Sequence, residues 1–435
     1  MHRRRVLGLG AAAVAVAFLP RRALAASDPG AVLTTWYRLV LELVRHTATY
    51  SPPVASRAFA YLGVAAWEAV ASDRGDTVSL AGQLAGLPPL PACDPGLTYN
   101  PAAILNATLS RAVAAFFGNT GPTGQRAMQA MARQMGKGLT GLPADVLARS
   151  EALGHAIADH IIAWSLTDGG AVVENMGFPM DYTLTDGPAH WVPTSLIRQQ
   201  QTPLLPGWAN NRPFAMPAGN SCALPPPPAY SEEVGSAFHA EAMEVYTTSA
   251  RLTEDQKTIA RFWSDDPMLS PTPPGHWVDI VLQISDRDGL DALRSADILA
   301  RLGVAMADAF IGCWEAKFAH DLLRPVTYIH RVIDPNWEPL LITPPFPEYP
   351  SGHSTLSGAA ATVLTASLGA DFAFDDATHE ADGLAARPFP SFWAAAQEAA
   401  ISRLYGGIHF RAAVERGLDQ GACIGAHAVR LRTLV

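Results

Sequence analysis

The chain has 435 residues, 49% of them hydrophobic and only 16% charged, with a formal net charge of −9. This composition excludes wholesale disorder and predicts a sizeable core, in one large domain or two. The only formal charges among the first 25 residues are five arginines, so without that segment the charge is about −14. A chain this acidic is a poor binder of nucleic acid or anionic membrane, and any anion site must be built from a few gathered bases.

In chain order, Arg3-Arg4-Arg5, the apolar run Val6 to Leu19 and the small-x-small Ala23-Leu24-Ala25 predict an export signal over residues 1–25. The adjacent arginines resemble a twin-arginine signal, which implies a periplasmic or secreted protein. The apolar run is short for a membrane span, and no other stretch reaches spanning length. Of the four cysteines, Cys93 and Cys222 lie in Pro-rich, loop-like segments and could pair in an oxidising compartment. Cys313 and Cys423 sit in apolar helical contexts and read as buried thiols.

Helical periodicity predicts helices over Val32 to Thr49, Val54 to Ala71, Ala102 to Phe117, Gly124 to Met135 and Leu147 to Ser165. A Pro/Gly-rich stretch from about Thr167 to Pro228 follows. It is rich in Trp and Leu, and so reads as ordered loop wrapping the surface. A second helical half comprises Glu232 to Ser249, Glu254 to Trp263, Trp277 to Ile284, Asp291 to Ala319, Ser351 to Leu368, Phe392 to Tyr405 and Arg411 to Thr433. Strand signals are sparse. The expected fold is all-α, two packed helical bundles, divided as 26–230 and a catalytic half 231–435.

Three segments of the second half carry chemistry. Lys317 and Arg324 stand seven apart before Pro325, a spacing that puts both on one face of a helix ended by the proline. Tyr349-Pro350-Ser351-Gly352-His353 opens an Ala-rich helix. Ser351 is a natural N-cap there, and the free N–H groups of Gly352 and His353 can face an anion. In Ser402-Arg403-Leu404-Tyr405-Gly406-Gly407-Ile408-His409, the glycines predict a helix break that lets Arg403 and His409 reach one point. Together these residues supply donors for a tetrahedral oxyanion and imidazoles for covalent or acid–base work.

The pattern K-x6-RP, PSGH and SR-x5-H resembles the superfamily of vanadium-dependent haloperoxidases and type 2 phosphatidic acid phosphatases. Cys313 to Lys317, Thr343 to His353, Thr272 to Trp277 and, in the first half, Ser51 to Ala69 are similar to its soluble bacterial haloperoxidase-like members. The resemblance implies that Lys317, Arg324, Ser351, Gly352 and Arg403 hydrogen-bond vanadate, or phosphate competing for the same pocket. It implies that His409 is the covalent vanadium ligand or the phosphate-attacking nucleophile, and that His353 is the acid–base histidine. Trp314 and Phe346 match positions beside a halide and peroxide pocket. Asp266 matches an acid that pairs with the second arginine, with Asp265 its close competitor.

The implied activity is oxidation of a halide by hydrogen peroxide through a peroxovanadate on His409, with a small organic substrate as acceptor. Two alternatives stand beside it: an exported acid phosphatase that takes phosphomonoesters with His409 as nucleophile, and a non-catalytic oxyanion binder. The phosphatase pattern continues H-x3-D, and here that position is Ala413. The missing carboxylate weakens the phosphatase reading more than the peroxidase one, because it would orient the imidazole and raise its nucleophilicity.

Overall fold

A computed structural model describes residues 28–173, 177–195 and 200–435; the expected signal at 1–25 lies outside them. The described first half holds α1 (Pro29–Arg45), α2 (Pro52–Ala71), α3 (Pro101–Phe116), α4 (Pro122–Lys137), α5 (Ala144–Ser165) and the single turn α6 (Gly170–Val173). The second holds α7 (Ala237–Ser249), α8 (Glu254–Phe262), α9 (Thr272–Asp288), α10 (Ala292–His320), α11 (Pro325–Val332), α12 (Gly352–Leu368), α13 (Phe392–Tyr405) and α14 (Arg411–Val429). A two-stranded ribbon, β1 (Phe374–Asp376) with β2 (Arg387–Phe389), lies between α12 and α13. The all-α expectation holds.

Local chemistry sets the helix ends. Prolines begin α1, α2, α3, α4 and α11, where the missing N–H has no intrahelical partner to lose. Asp291, Ser391 and Ser351 cap α10, α13 and α12 by accepting first-turn N–H groups, the last from Ser354 at 3.3 Å. α2 and α10 are buried along almost their whole lengths and pack against each other, so one continuous core joins the two halves. α12 lies between α10, α13 and α14. Its approach to α14 is close because Gly421 carries no side chain: a Cβ there would sit 2.2 Å from the Thr355 carbonyl oxygen. Filling that contact would cost about 1–3 kcal/mol in overpacking.

Three expectations need correction. First, Lys317 and Arg324 do not share a helix. α10 ends at His320, Asp321 takes the left-handed conformation at φ 46°, and Pro325 begins α11 rather than ending α10. Asp tolerates that conformation better than most residues, and its N–H returns to the Lys317 carbonyl. Second, Cys222 pairs with Cys423, not with Cys93, which is a free thiol. The loop around Cys222 crosses α14, where Gln420 donates to the Cys222 carbonyl. Cys313 is the buried thiol expected. Third, α7 begins only at Ala237, after the Ser236 cap, and α14 ends at Val429, short of Thr433.

The described parts of the long loop are ordered over the core, as its Trp and Leu content predicts. Trp191, Trp208, Phe214 and Met216 are buried. Asp308 of α10 accepts the N–H groups of Phe214, Ala215 and Met216 and so pins the loop. Trp191 N–H donates to Asp321 and Leu323 N–H to Ala189, which fixes the turn between Lys317 and Arg324.

Candidate active site

The turn at Asp321, the 337–351 loop and the 406–410 link between α13 and α14 meet at one buried point. Gly407, at φ 77°, makes the link: the chain leaves α13 at Tyr405, and His409 precedes α14 by two residues. Arg403 and His409 therefore converge as expected, with His409 on the link rather than in the helix. Lys317, Arg324, Arg403 and His353 all lie close enough to His409 to depress its protonation, after burial itself. His409 is thus held well below its ordinary value and is a neutral imidazole.

Arg324 is fully buried. Its Nε donates to the Phe346 carbonyl at 2.8 Å, and its Nη1 donates to the Ile408 carbonyl at 2.9 Å and lies 3.2 Å from His409 Nε2. Its Nη2 has no protein partner. Arg403 donates to the carbonyls of Trp263 and Ala260 and to Ser402 Oγ. Burial lowers both guanidiniums to about 10. Burial also brings Lys317 down to about 7, with Arg324 pushing the same way. The Lys317 ammonium donates to the carbonyls of Pro347, Glu348 and Pro350, so it braces the PSGH loop as well as charging the pocket.

Phe346 lies beneath both cations, 5.1 Å from Lys317 Nζ and 5.0 Å from the Arg324 guanidinium. Trp314 stands 5.0 Å from Phe346, and its indole donates to the Leu204 carbonyl. The predicted aromatic pair is therefore assembled. His353 opens α12 with a buried Nε2 that has no partner, and burial then Arg403 hold it well below its ordinary value. Ser351 spends its Oγ on capping and its N–H on the Ala413 carbonyl. The N–H groups of Gly352 and His353 are of the kind a helix start leaves for a ligand.

The acidic positions behave differently from each other. Asp266 feels the charge of Arg403 but forms no ion pair with it among the described residues. Asp265, buried at φ 48°, accepts from His276 Nδ1 at 3.0 Å and from His379 Nε2 at 3.2 Å. His276 Nε2 lies 2.7 Å from Asp376, and its ring stacks on Trp263, 4.4 Å away. Burial opposes it, but the two carboxylates hold His276 protonated well above its ordinary value.

Sequence reasoning missed Glu348. This fully buried acid of the 337–351 loop places Oε1 2.8 Å from His409 Nδ1 and accepts the Phe410 N–H through the same oxygen at 2.8 Å. Burial raises it to about 8, against the pull of Arg324 and Lys317. The available signal was an acid inside the Pro-rich run Thr343 to Pro350, where only a specific partner justifies burying a carboxylate. The imidazole is thus not left without a carboxylate because position 413 is alanine.

The donor set fits a tetrahedral oxyanion. Two guanidiniums and an ammonium line the pocket, and the unpartnered buried donor Arg324 Nη2 and the unpartnered His353 Nε2 need a polar partner. Comparisons with known proteins agree. Residues 297–434 match the family described as the VCPO second helical-bundle domain. A solved bacterial vanadium-dependent iodoperoxidase is 38% identical with a TM-score of 0.85, over 93% of this chain and 97% of its own. A holo-type bacterial vanadium-dependent chloroperoxidase is 17% identical with a TM-score of 0.67, over 89% of this chain and 94% of its own. Its apo-type counterpart is also 17% identical, with a TM-score of 0.68, over 89% and 95%; these two show the fold alone. No curated protein matches. The chain belongs to the vanadium-dependent haloperoxidases, and it is an oxidoreductase with a haloperoxidase-like function.

Proposed function

We propose that this enzyme oxidises halide with hydrogen peroxide at a vanadate held by Arg324, Arg403, the N–H groups of Gly352 and His353 at the start of α12, and His409 Nε2, with Lys317 adding charge from beside the pocket. The observation that carries this reading is the convergence of three buried cations and a neutral imidazole on one point, with Arg324 Nη2 unpartnered. Bound there, vanadate would supply a Lewis-acid centre that activates peroxide toward attack by halide. The protein's part is positioning and charge. Arg324 and Arg403 neutralise oxyanion charge in a dry site, where it counts most. His353, neutral and with Nε2 unpartnered, takes the peroxide proton at that atom. Trp314 and Phe346 keep bulk water from the reacting side.

Iodide is the expected best halide. Among chloride, bromide and iodide it is the easiest to oxidise, and the relative at 38% identity is an iodoperoxidase. A cavity of about 800 Å3 reaches Pro345, next to Phe346, and Trp191, His330, Leu341 and Thr343 also line it. It offers room for an organic acceptor. Export to the periplasm or beyond is supported by the signal-like first 25 residues and by the Cys222–Cys423 disulfide. Among the described residues, no helix is long and apolar enough to cross a membrane.

Glu348 gives the phosphatase reading an observation of its own. An acid side chain on His409 Nδ1 orients the ring as a histidine nucleophile requires, so phosphomonoester hydrolysis is the second activity to assay. The test is triiodide formation by purified protein after incubation with orthovanadate. Turnover should require vanadate, peroxide and iodide together, and inorganic phosphate added before vanadate should suppress it. Folded protein that takes up vanadate yet oxidises no halide contradicts the proposal.

A further inference from the structure

We propose that Glu348 is the positioning residue of His409: its Oε1 accepts the hydrogen bond of Nδ1–H and keeps the proton on that nitrogen, so that Nε2 meets the pocket as an unprotonated lone pair, in place of the carboxylate this chain lacks at position 413. The inference rests on the reading that His409 Nε2 binds the anion.

Two contacts favour one tautomer, and the Glu348 contact is the shorter of the two. On one side, Glu348 Oε1 already accepts the Phe410 N–H at 2.8 Å, and it lies 2.8 Å from His409 Nδ1. An oxygen engaged in this way has an acceptor lone pair left for Nδ1–H. If the carboxyl carried a proton, it would reside on Oε2, the oxygen without a partner. On the other side, Arg324 Nη1 lies 3.2 Å from His409 Nε2. A guanidinium only donates, so this contact requires Nε2 to be the acceptor. Both neighbours select one tautomer, the one a metal-bound oxyanion needs.

The route is also unlike the one the family pattern implies. A carboxylate at position 413 would reach the ring from one turn along α14. Here the acid comes from the loop before α12, 61 residues earlier. Position 413 holds a fully buried alanine packed in one cluster with Tyr349 and Phe410, and its carbonyl accepts the Ser351 N–H. The loop that carries Glu348 also supplies the three carbonyls that Lys317 grips, two of them flanking Glu348 at Pro347 and Pro350. Lys317 therefore holds the positioning acid in place as well as adding charge. One segment, 346–353, delivers the aromatic wall, the positioning acid, the N-cap and the acid–base histidine.

The test uses the full protein labelled with 15N-histidine, its His409 signals assigned by difference with His409→Ala. Without vanadate, the wild type should carry its proton on Nδ1. Glu348→Gln keeps an acceptor and should keep that tautomer. Glu348→Ala should move the proton to Nε2 in a substantial share of molecules. Orthovanadate binding, measured by calorimetry, should weaken about 10–100-fold in Glu348→Ala, the usual effect of losing an outer-shell partner. It should weaken much less in Glu348→Gln. Should Glu348→Ala fold poorly, the double variant Glu348→Ala/Ala413→Asp restores an acid from α14 and should recover both tautomer and affinity. A wild-type proton on Nε2, or a Glu348→Ala protein with unchanged tautomer and affinity, overturns the proposal. The functional reading fails separately, if His409→Ala binds vanadate as the wild type does while the tautomer results stand.

Discussion

Two buried histidines of this molecule have opposite fates. His276 lies between Asp265 and Asp376 with a carboxylate on each ring nitrogen, and it is a protonated structural cation. His409 has one carboxylate, Glu348, on Nδ1 and a guanidinium, Arg324, on Nε2, and it is a neutral potential ligand. Burial disfavours charge on both, so the neighbours decide the outcome. An arginine in place of a carboxylate on one ring nitrogen separates a protonated packing histidine from a neutral one with an available lone pair.

The comparison can be broken from either side. His409→Ala should have the largest functional effect. It should lower vanadate affinity beyond the about 100-fold that loss of an outer-shell partner costs, while the unfolding free energy changes by about 1 kcal/mol, as for an ordinary single substitution. His276→Ala should do the reverse. It strands two buried carboxylates, which costs about 3–5 kcal/mol in urea unfolding, while the remaining folded protein still binds vanadate. If His276→Ala removed vanadate binding from folded protein, the division between structural and ligand histidine would fail.

Stability as a function of pH sharpens the same contrast. His276 is raised in the folded state, so its contribution is full below its ordinary 6.5 and is lost as pH rises through the folded value. The urea midpoint of the wild type should therefore exceed that of His276→Gln most at pH 6 and by less at pH 9. Lys317 gives a smaller effect, on binding. Burial sets it near 7, and a bound anion favours its charged form. Its share of vanadate affinity should be full below pH 7 and fall by at most tenfold per pH unit above it. The wild-type slope should exceed that of Lys317→Gln between pH 7 and 8, and parallel slopes would show that Lys317 is not charged by the ligand. The smallest effect is expected at Asp266, which forms no ion pair with Arg403. Asp266→Asn should change vanadate affinity less than about fivefold, the effect of a weak charge pair.

The helical fold, and most of the residues that converge on the buried pocket, were legible because their signals are local. Periodicity marked α2, α3 and α10, and PSGH and the Gly406-Gly407 break announced Ser351, His353, Arg403 and His409. What escaped was set by contacts distant in sequence. Lys317 and Arg324 meet through a turn at Asp321, which an aspartate makes by adopting a left-handed conformation that spacing does not encode. The Cys222–Cys423 bond joins residues 201 apart. Asp265 looked like a competitor for Arg403, yet His276 and His379 claim it, and Asp376, which completes the network, lies 100 residues from His276. Ala413 read as a missing carboxylate because the motif was compared along the chain; in space, Glu348 occupies that role.

The central claim is that vanadate binds His409 through Nε2 while Glu348 holds Nδ1. A crystal structure of the full protein after incubation with orthovanadate tests it most directly. The account predicts vanadium at a bonding distance from His409 Nε2, with Arg324 Nη2 and Arg403 on its oxygens and Glu348 still on Nδ1. Vanadium bound to another residue, or an anion held by the arginines with no bond to His409, would contradict it.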